Sequence, residues 1–137
     1  MKKVIFVIFI FSSVTIYGQK KEKQHPIDVR REQCLNKPEN QNTYGCRDCE
    51  RIAYEEWDKE MNVYYKRLMS YLGNEEKEKL KIAQRRWIAY RDSEMDFIGT
   101  TCYNLQGTLW GIVASQRYME IVRARAIELK DYCETLK

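Results

Sequence analysis

Between residues 80 and 97 the chain reads LKIAQRRWIAYRDSEMDF, and no other stretch limits the fold as tightly. Leu80, Ala83, Trp87, Tyr90, Glu94 and Phe97 recur at steps of three and four, the spacing that places side chains on one face of an α-helix. Gln84, Trp87 and Arg91 make a second row beside the first. The two rows read as a core seam with a polar anchor. They predict a long helix around which the other helices pack.

The chain starts Met1-Lys2-Lys3, runs apolar from Val4 to Phe11, then passes Ser12, Ser13 and Thr15 to Gly18. A basic start, a short apolar run and a small residue at its end read as a secretory signal, with cleavage after Gly18. The run is too short to span a membrane, and no Cys follows it closely to carry a lipid anchor. Residues 1–18 are expected to be a signal peptide, and the protein to be periplasmic or secreted. The formal charge of +4 includes Lys2 and Lys3. The exported part is then too mildly basic to point to nucleic acid.

Residues 19–33, rich in Lys, Gln and Glu, read as a flexible lead-in, with a short helix possible in sequence terms over residues 27–35. Residues 36–43 (NKPENQNT) form a loop by composition. A first long helix starts at Thr43 as N-cap and carries the row Ala53, Trp57, Met61, Tyr64, Leu68 and Tyr71 or Leu72, up to Gly73. Asn74 caps the second, which runs to residue 98 and stops at Gly99. Residues 99–107 (GTTCYNLQG) form the next loop. Thr108 caps a third helix to about Cys133, with the row Leu109, Ile112, Met119, Val122, Ala126, Leu129 and Cys133. No segment alternates like a strand. The expected fold is all-α: one domain over residues 34–137, with three long antiparallel helices in an up-down-up bundle stapled by disulfides.

In that topology Cys34, Cys46, Cys49 and Cys102 share one end and Cys133 the other. An exported chain favours disulfides, and a disulfide needs Cα atoms within about 7 Å. The expected pairs are Cys34–Cys49 and Cys46–Cys102, leaving Cys133 as the odd thiol. Cys46 and Cys49, one helical turn apart, also fit half of a zinc site that Cys34 and Cys102 would complete; oxidation argues against it. The one histidine, His25, lies beside Pro26 in the lead-in without a catalytic partner. Glu94 falls on the apolar row, and an ion pair with Arg123 or Arg125 is its expected state. Arg91 is expected to tie its helix to a loop or to the third helix. Tyr103, Asn104 and Trp110 stand together as a candidate contact patch. No phosphate loop, nucleophile elbow, metal or cofactor is implied, and no enzyme is expected.

The run Ala83-Gln84-Arg85-Arg86-Trp87-Ile88-Ala89-Tyr90-Arg91-Asp92-Ser93-Glu94, with Leu80 ahead of it, resembles the L-x-x-A-Q-R-x-W-x-x-Y/F-R-D-x-E signature of the LprI-like lysozyme inhibitor family. The resemblance extends from about Cys34 to Cys133. It implies a small secreted helical domain, of which one characterised branch inhibits lysozyme. Where the family often carries a Cys after this run, the chain has Met95, and Cys46–Cys102 stands as the substitute pair. The function implied is an exported, non-enzymatic binding protein with lysozyme as its partner. A loop over residues 100–106 would enter the lysozyme cleft, with Tyr103 as anchor. The alternative is a structural or interaction protein of the bacterial cell envelope without inhibitor activity.

Overall fold

The computed structural model describes residues 24–136. The expected signal peptide and the first part of the lead-in lie outside the described residues. These fold into α1 (Pro26–Leu35), a 3₁₀ turn (Pro38–Asn40), α2 (Thr43–Tyr71), α3 (Asn74–Tyr103) and α4 (Leu109–Thr135). No strand occurs among them.

The helix boundaries follow from local chemistry. Pro26 opens α1, where a missing N–H costs nothing, and His25 Nδ1 accepts from the Ile27 N–H at 3.3 Å. Ile27 is buried in the core. The packed chain therefore begins inside the stretch read as lead-in. Asn42, one residue before the expected cap, accepts from the Gly45 N–H at 2.9 Å and starts α2. Between α2 and α3 the Gly73 N–H donates to Glu76 Oε2 at 2.6 Å. α3 does not stop at Gly99. It continues to Tyr103, so residues 100–103, expected in a loop, are helical. A Cβ at Gly99 would lie 2.7 Å from the Tyr118 hydroxyl, so this glycine serves close approach to α4 rather than termination. The link to α4 shrinks to residues 104–108, with Gly107 at φ +100°.

The core forms mainly between α2 and α4. Ala53, Trp57, Met61, Tyr64 and Leu68 of α2 are buried, as the sequence row predicts, while Tyr71 is exposed. From α4 come Met119, Val122, Ala126, Leu129 and Cys133, joined by Ala114; Leu109, expected in this row, is exposed. α3 rests chiefly on α4 rather than on α2, and only its Gln84 and Cys102 are buried. The residue 80–97 helix is thus the outermost of the long helices, and not the organising one. Tyr90 and Phe97 of its first row are 55% and 62% exposed.

α1 takes the place beside α2 that α3 leaves. Asp28 accepts a forked pair from Arg123 of α4 at 2.7–3.1 Å. Arg31 makes a second fork to Glu50 of α2 at 2.7 and 2.5 Å, and Glu50 is almost wholly buried. Trp57, 0% exposed, lies 4.4 Å from the His25 ring and 5.4 Å from the Arg123 guanidinium, measured to its own ring centre. Among the described residues the Trp57 Nε1–H has no hydrogen-bond partner.

One expected disulfide is present, Cys34–Cys49, spanning 15 residues. It consumes two of the four ligands that a zinc site would need. The other expected pair, Cys46–Cys102, is not formed. Cys46 Sγ turns toward the 3₁₀ turn and meets the Asn40 carbonyl at 3.4 Å. Cys102 is buried at the end of α3, a helix that rests on α4 instead of α2. The Cys133 thiol donates to the Tyr64 carbonyl at 3.4 Å.

Two predictions follow from this packing. A Cβ on Gly45 would fall 2.5 Å from Asn40 Cα and 2.7 Å from its carbonyl oxygen, both backbone atoms held near the Cys34–Cys49 bridge. Overpacking then outweighs the helix-propensity gain of about 1 kcal/mol, and Gly45→Ala should lose about 1–2 kcal/mol in urea unfolding. Burial pushes the His25 imidazole below its ordinary 6.5, against the opposing pull of Glu60 and Asp28. The folded state therefore binds fewer protons than the unfolded one just below pH 6.5. This contribution to stability is complete above 6.5 and is lost as pH falls through 6.5 toward the lower folded value. In His25→Asn, which can still cap α1, the melting temperature should depend less on pH across that window than in the parent.

Candidate functional site

Because α3 stands away from α2, it leaves two concave surfaces, one on each flank. The first row of the 80–97 stretch lines one of them. Trp87, Tyr90, Glu94 and Phe97 face Ile121, Arg125 and neighbouring α4 residues across a groove of about 710 Å³. The second row makes the anchor. Gln84 Oε1 accepts from Arg125 Nε at 3.0 Å, and its amide lies 3.7 Å from Met61 Sδ of α2. Arg125 also pairs with Glu128 at 2.6 Å and sits 6.0 Å from the Trp87 ring centre. Among the described residues Arg91 pairs with neither a loop nor α4. It pairs with the adjacent Asp92 at 2.7 Å and covers the Trp87 ring at 5.4 Å. The expected ion pair of Glu94 is absent among the described residues, because Arg123 is taken by Asp28 and Arg125 by Gln84 and Glu128.

The second surface, of about 560 Å³, opens at the other flank of α3, near the start of α2. Tyr44, Arg47, Arg51 and Tyr54 supply its α2 wall. Met95 and Tyr103 come from α3, and Ser115 and Tyr118 from α4. Arg51 is held by Asp48 at 2.7 Å and Glu55 at 2.6 Å, and these hydrogen bonds raise its pKa. Arg47 donates to the Tyr103 hydroxyl at 3.3 Å and has no carboxylate partner among the described residues. Burial pushes the Tyr54 and Tyr118 phenols above their ordinary 10, so both stay neutral donors at physiological pH.

Of the residues singled out from the sequence, Tyr103 lies on the rim of this groove, 58% exposed, with Asn104 just beyond it as the C-cap of α3. Trp110 is half-buried in the first turn of α4 and does not line the groove. The family-motif residues are divided: Gln84 is buried, Trp87, Arg91 and Glu94 are half-buried, and Tyr90 and Asp92 are exposed. Sequence reasoning missed Tyr44, Arg47, Arg51 and Tyr54. Their spacing of three and four did carry a signal, a second face of α2 beside its core row.

The family model for the lysozyme inhibitor LprI matches residues 34–129, from the disulfide-bonded Cys34 through most of α4. The crystal structure of an uncharacterized protein from Burkholderia thailandensis is similar, with a TM-score of 0.77 and 27% identity. The likeness covers 82% of this chain and 56% of that one, so the chain spans little more than half of that relative's length. No curated protein matches the sequence.

The Gln84–Arg125 contact is a buried polar tie between α3 and α4. Replacing Gln84 by Leu leaves the buried Arg125 Nε–H without its acceptor. The expected cost is about 1–3 kcal/mol, and amide exchange should speed up in α3 before α2 or α4. Equal protection loss in all three helices would remove Gln84 from this role.

Proposed function

The chain belongs to the LprI family of lysozyme inhibitors, and on that footing we propose that it is an exported binding protein that inhibits a lysozyme by filling its cleft. Family and disulfide together point to an extracytoplasmic site of action, and residues 1–18 would direct the export. No described helix is long and apolar enough to cross a membrane. The observation that carries the reading is an exposed apolar cluster around the α3–α4 turn: Tyr103, Leu105 and Leu109 are 58%, 44% and 62% exposed. A mildly basic chain gains no electrostatic steering toward a basic enzyme, so apolar contact must supply the affinity. The inserted element is shorter than the loop expected from sequence. A helix end and a turn of residues 104–108 replace it, and less chain is left to order on binding.

The second reading, an envelope interaction protein without inhibitor activity, draws on the α3–α4 groove with its exposed Tyr90 and Phe97. It would take a helical partner along α3.

Lysozyme-catalysed cleavage of a soluble chromogenic oligosaccharide separates the two. Dose-dependent inhibition by the oxidised protein is expected, with Leu105→Asp/Leu109→Asp weakening it more than about tenfold, a shift worth about 1.4 kcal/mol, while the melting temperature holds. Inhibition unaltered in that variant would move the contact elsewhere. No inhibition of any lysozyme class would leave the envelope reading.

A further inference from the structure

The groove between the start of α2 and the ends of α3 and α4 has a composition of which the lysozyme reading uses only Tyr103. Tyrosines from three helices line it: Tyr44 and Tyr54 from α2, Tyr103 from α3 and Tyr118 from α4. Aromatic faces present apolar, rigid surface with a hydroxyl at the far edge. Around them stand further oxygen groups, the Ser115 hydroxyl and the Asp48 carboxylate. Ser115 Oγ donates to the Gly111 carbonyl at 3.0 Å and so keeps its lone pairs available to accept. The volume of about 560 Å³ lies in the ordinary range for a small-ligand site.

Charge narrows the ligand. Of the two arginines, Arg51 is committed to Asp48 and Glu55. Arg47 donates to the Tyr103 hydroxyl at 3.3 Å and has no carboxylate partner among the described residues, in a groove that tyrosines line. A guanidinium in that state is matched by a carboxylate, which it grips in a fork. A planar aromatic acid would satisfy the arginine and one tyrosine but leave the remaining tyrosine and serine hydroxyls unused. A pyranose satisfies all three features, stacking its C–H face on tyrosine and exchanging hydrogen bonds at its rim.

We propose that this groove binds a sugar that carries a carboxylate, of the kind muramic acid contributes to bacterial wall glycan. Arg47 holds the carboxylate, Tyr54 and Tyr118 take the ring faces, and Ser115 and Asp48 meet hydroxyl or amide groups. The proposal does not depend on lysozyme binding, and its test contains no lysozyme. The sugar comes either from an intact glycan strand or from a soluble fragment of one.

The test titrates the oxidised protein with the N-acetylglucosamine–N-acetylmuramic acid disaccharide, with neutral diacetylchitobiose and with benzoate, following backbone amide shifts by NMR. The muramic disaccharide should bind about tenfold tighter than the neutral one, as expected for one charge-assisted fork, and shift amides of α2, α3 and α4 around the groove. In Arg47→Gln, a surface change that spares the core, the preference should vanish. Tyr54→Ala/Tyr118→Ala, with its fold checked by the same spectra, should lose both sugars. Sedimentation with purified wall sacculi would make the strand the source, and its absence beside soluble binding would make a fragment the source. Equal binding of both disaccharides, benzoate binding as tightly as the sugar, a preference that survives Arg47→Gln, or no binding at all would overturn the proposal.

Discussion

Trp57 is the point on which the rest of this structure closes. It is fully buried where α1, α2 and α4 meet, with the His25 ring and the Arg123 guanidinium against it. Arg123 is in turn forked to Asp28. One aromatic ring thus joins an apolar core to a polar clasp that holds α1 in place. Burying an indole contributes several kcal/mol, while its Nε1–H, without a partner among the described residues, offsets about 1–3 kcal/mol of this. The apolar term wins. The polar contacts contribute direction more than energy, because a half-exposed ion pair is worth little by itself, while its fork geometry adds specificity to the placement of α1.

With α1 on one side of the α2–α4 pair, α3 rests mainly on α4 and meets α2 at Gln84–Met61 and Tyr103–Arg47. Its attachment is polar at the middle, through Gln84 and Arg125, and close at the end, where Gly99 admits Tyr118. A helix held in this way exposes apolar side chains on its flanks. Ile82, Ile88, Tyr90 and Phe97 remain open to solvent, an unusual outlay of apolar surface for a helix in a small domain. Both concave surfaces are direct consequences of this arrangement.

The sequence was legible where a helix packs in the ordinary way. The α2 row from Ala53 to Leu68 and the α4 row from Met119 to Cys133 are both core rows, because a 3.6-residue period written in large apolar side chains has few other meanings. The row in α3 has the same period but a different cause. Periodicity reports that a face is apolar, and says nothing of whether a partner covers it. The Asp28–Arg123 clasp was invisible for another reason: its members lie 95 positions apart, and nothing local marks them as partners. The expected Cys46–Cys102 bridge assumed that Cys46 faces α3, but its Sγ turns toward the Asn40 carbonyl. Cys34–Cys49 needed no such assumption and was read correctly.

The end of the molecule that carries the proposed contacts is also the end most restrained by covalent and steric means. Cys34–Cys49 ties α1 to α2 there, and Asn40 lies across Gly45 with no room for a side chain between them. The Asn40 amide donates to the Cys34 carbonyl at 2.9 Å and stands 3.4 Å from both bridge sulfurs. Arg47, in the next turn of α2, reaches Tyr103 at the tip of α3. A surface that binds with few contacts gains most from being ordered beforehand, because each immobilised side chain otherwise costs about 0.5–1.5 kcal/mol on association. In a domain with so slight an attachment of α3, the contact proposed for an exposed tyrosine and two leucines would gain from such restraint.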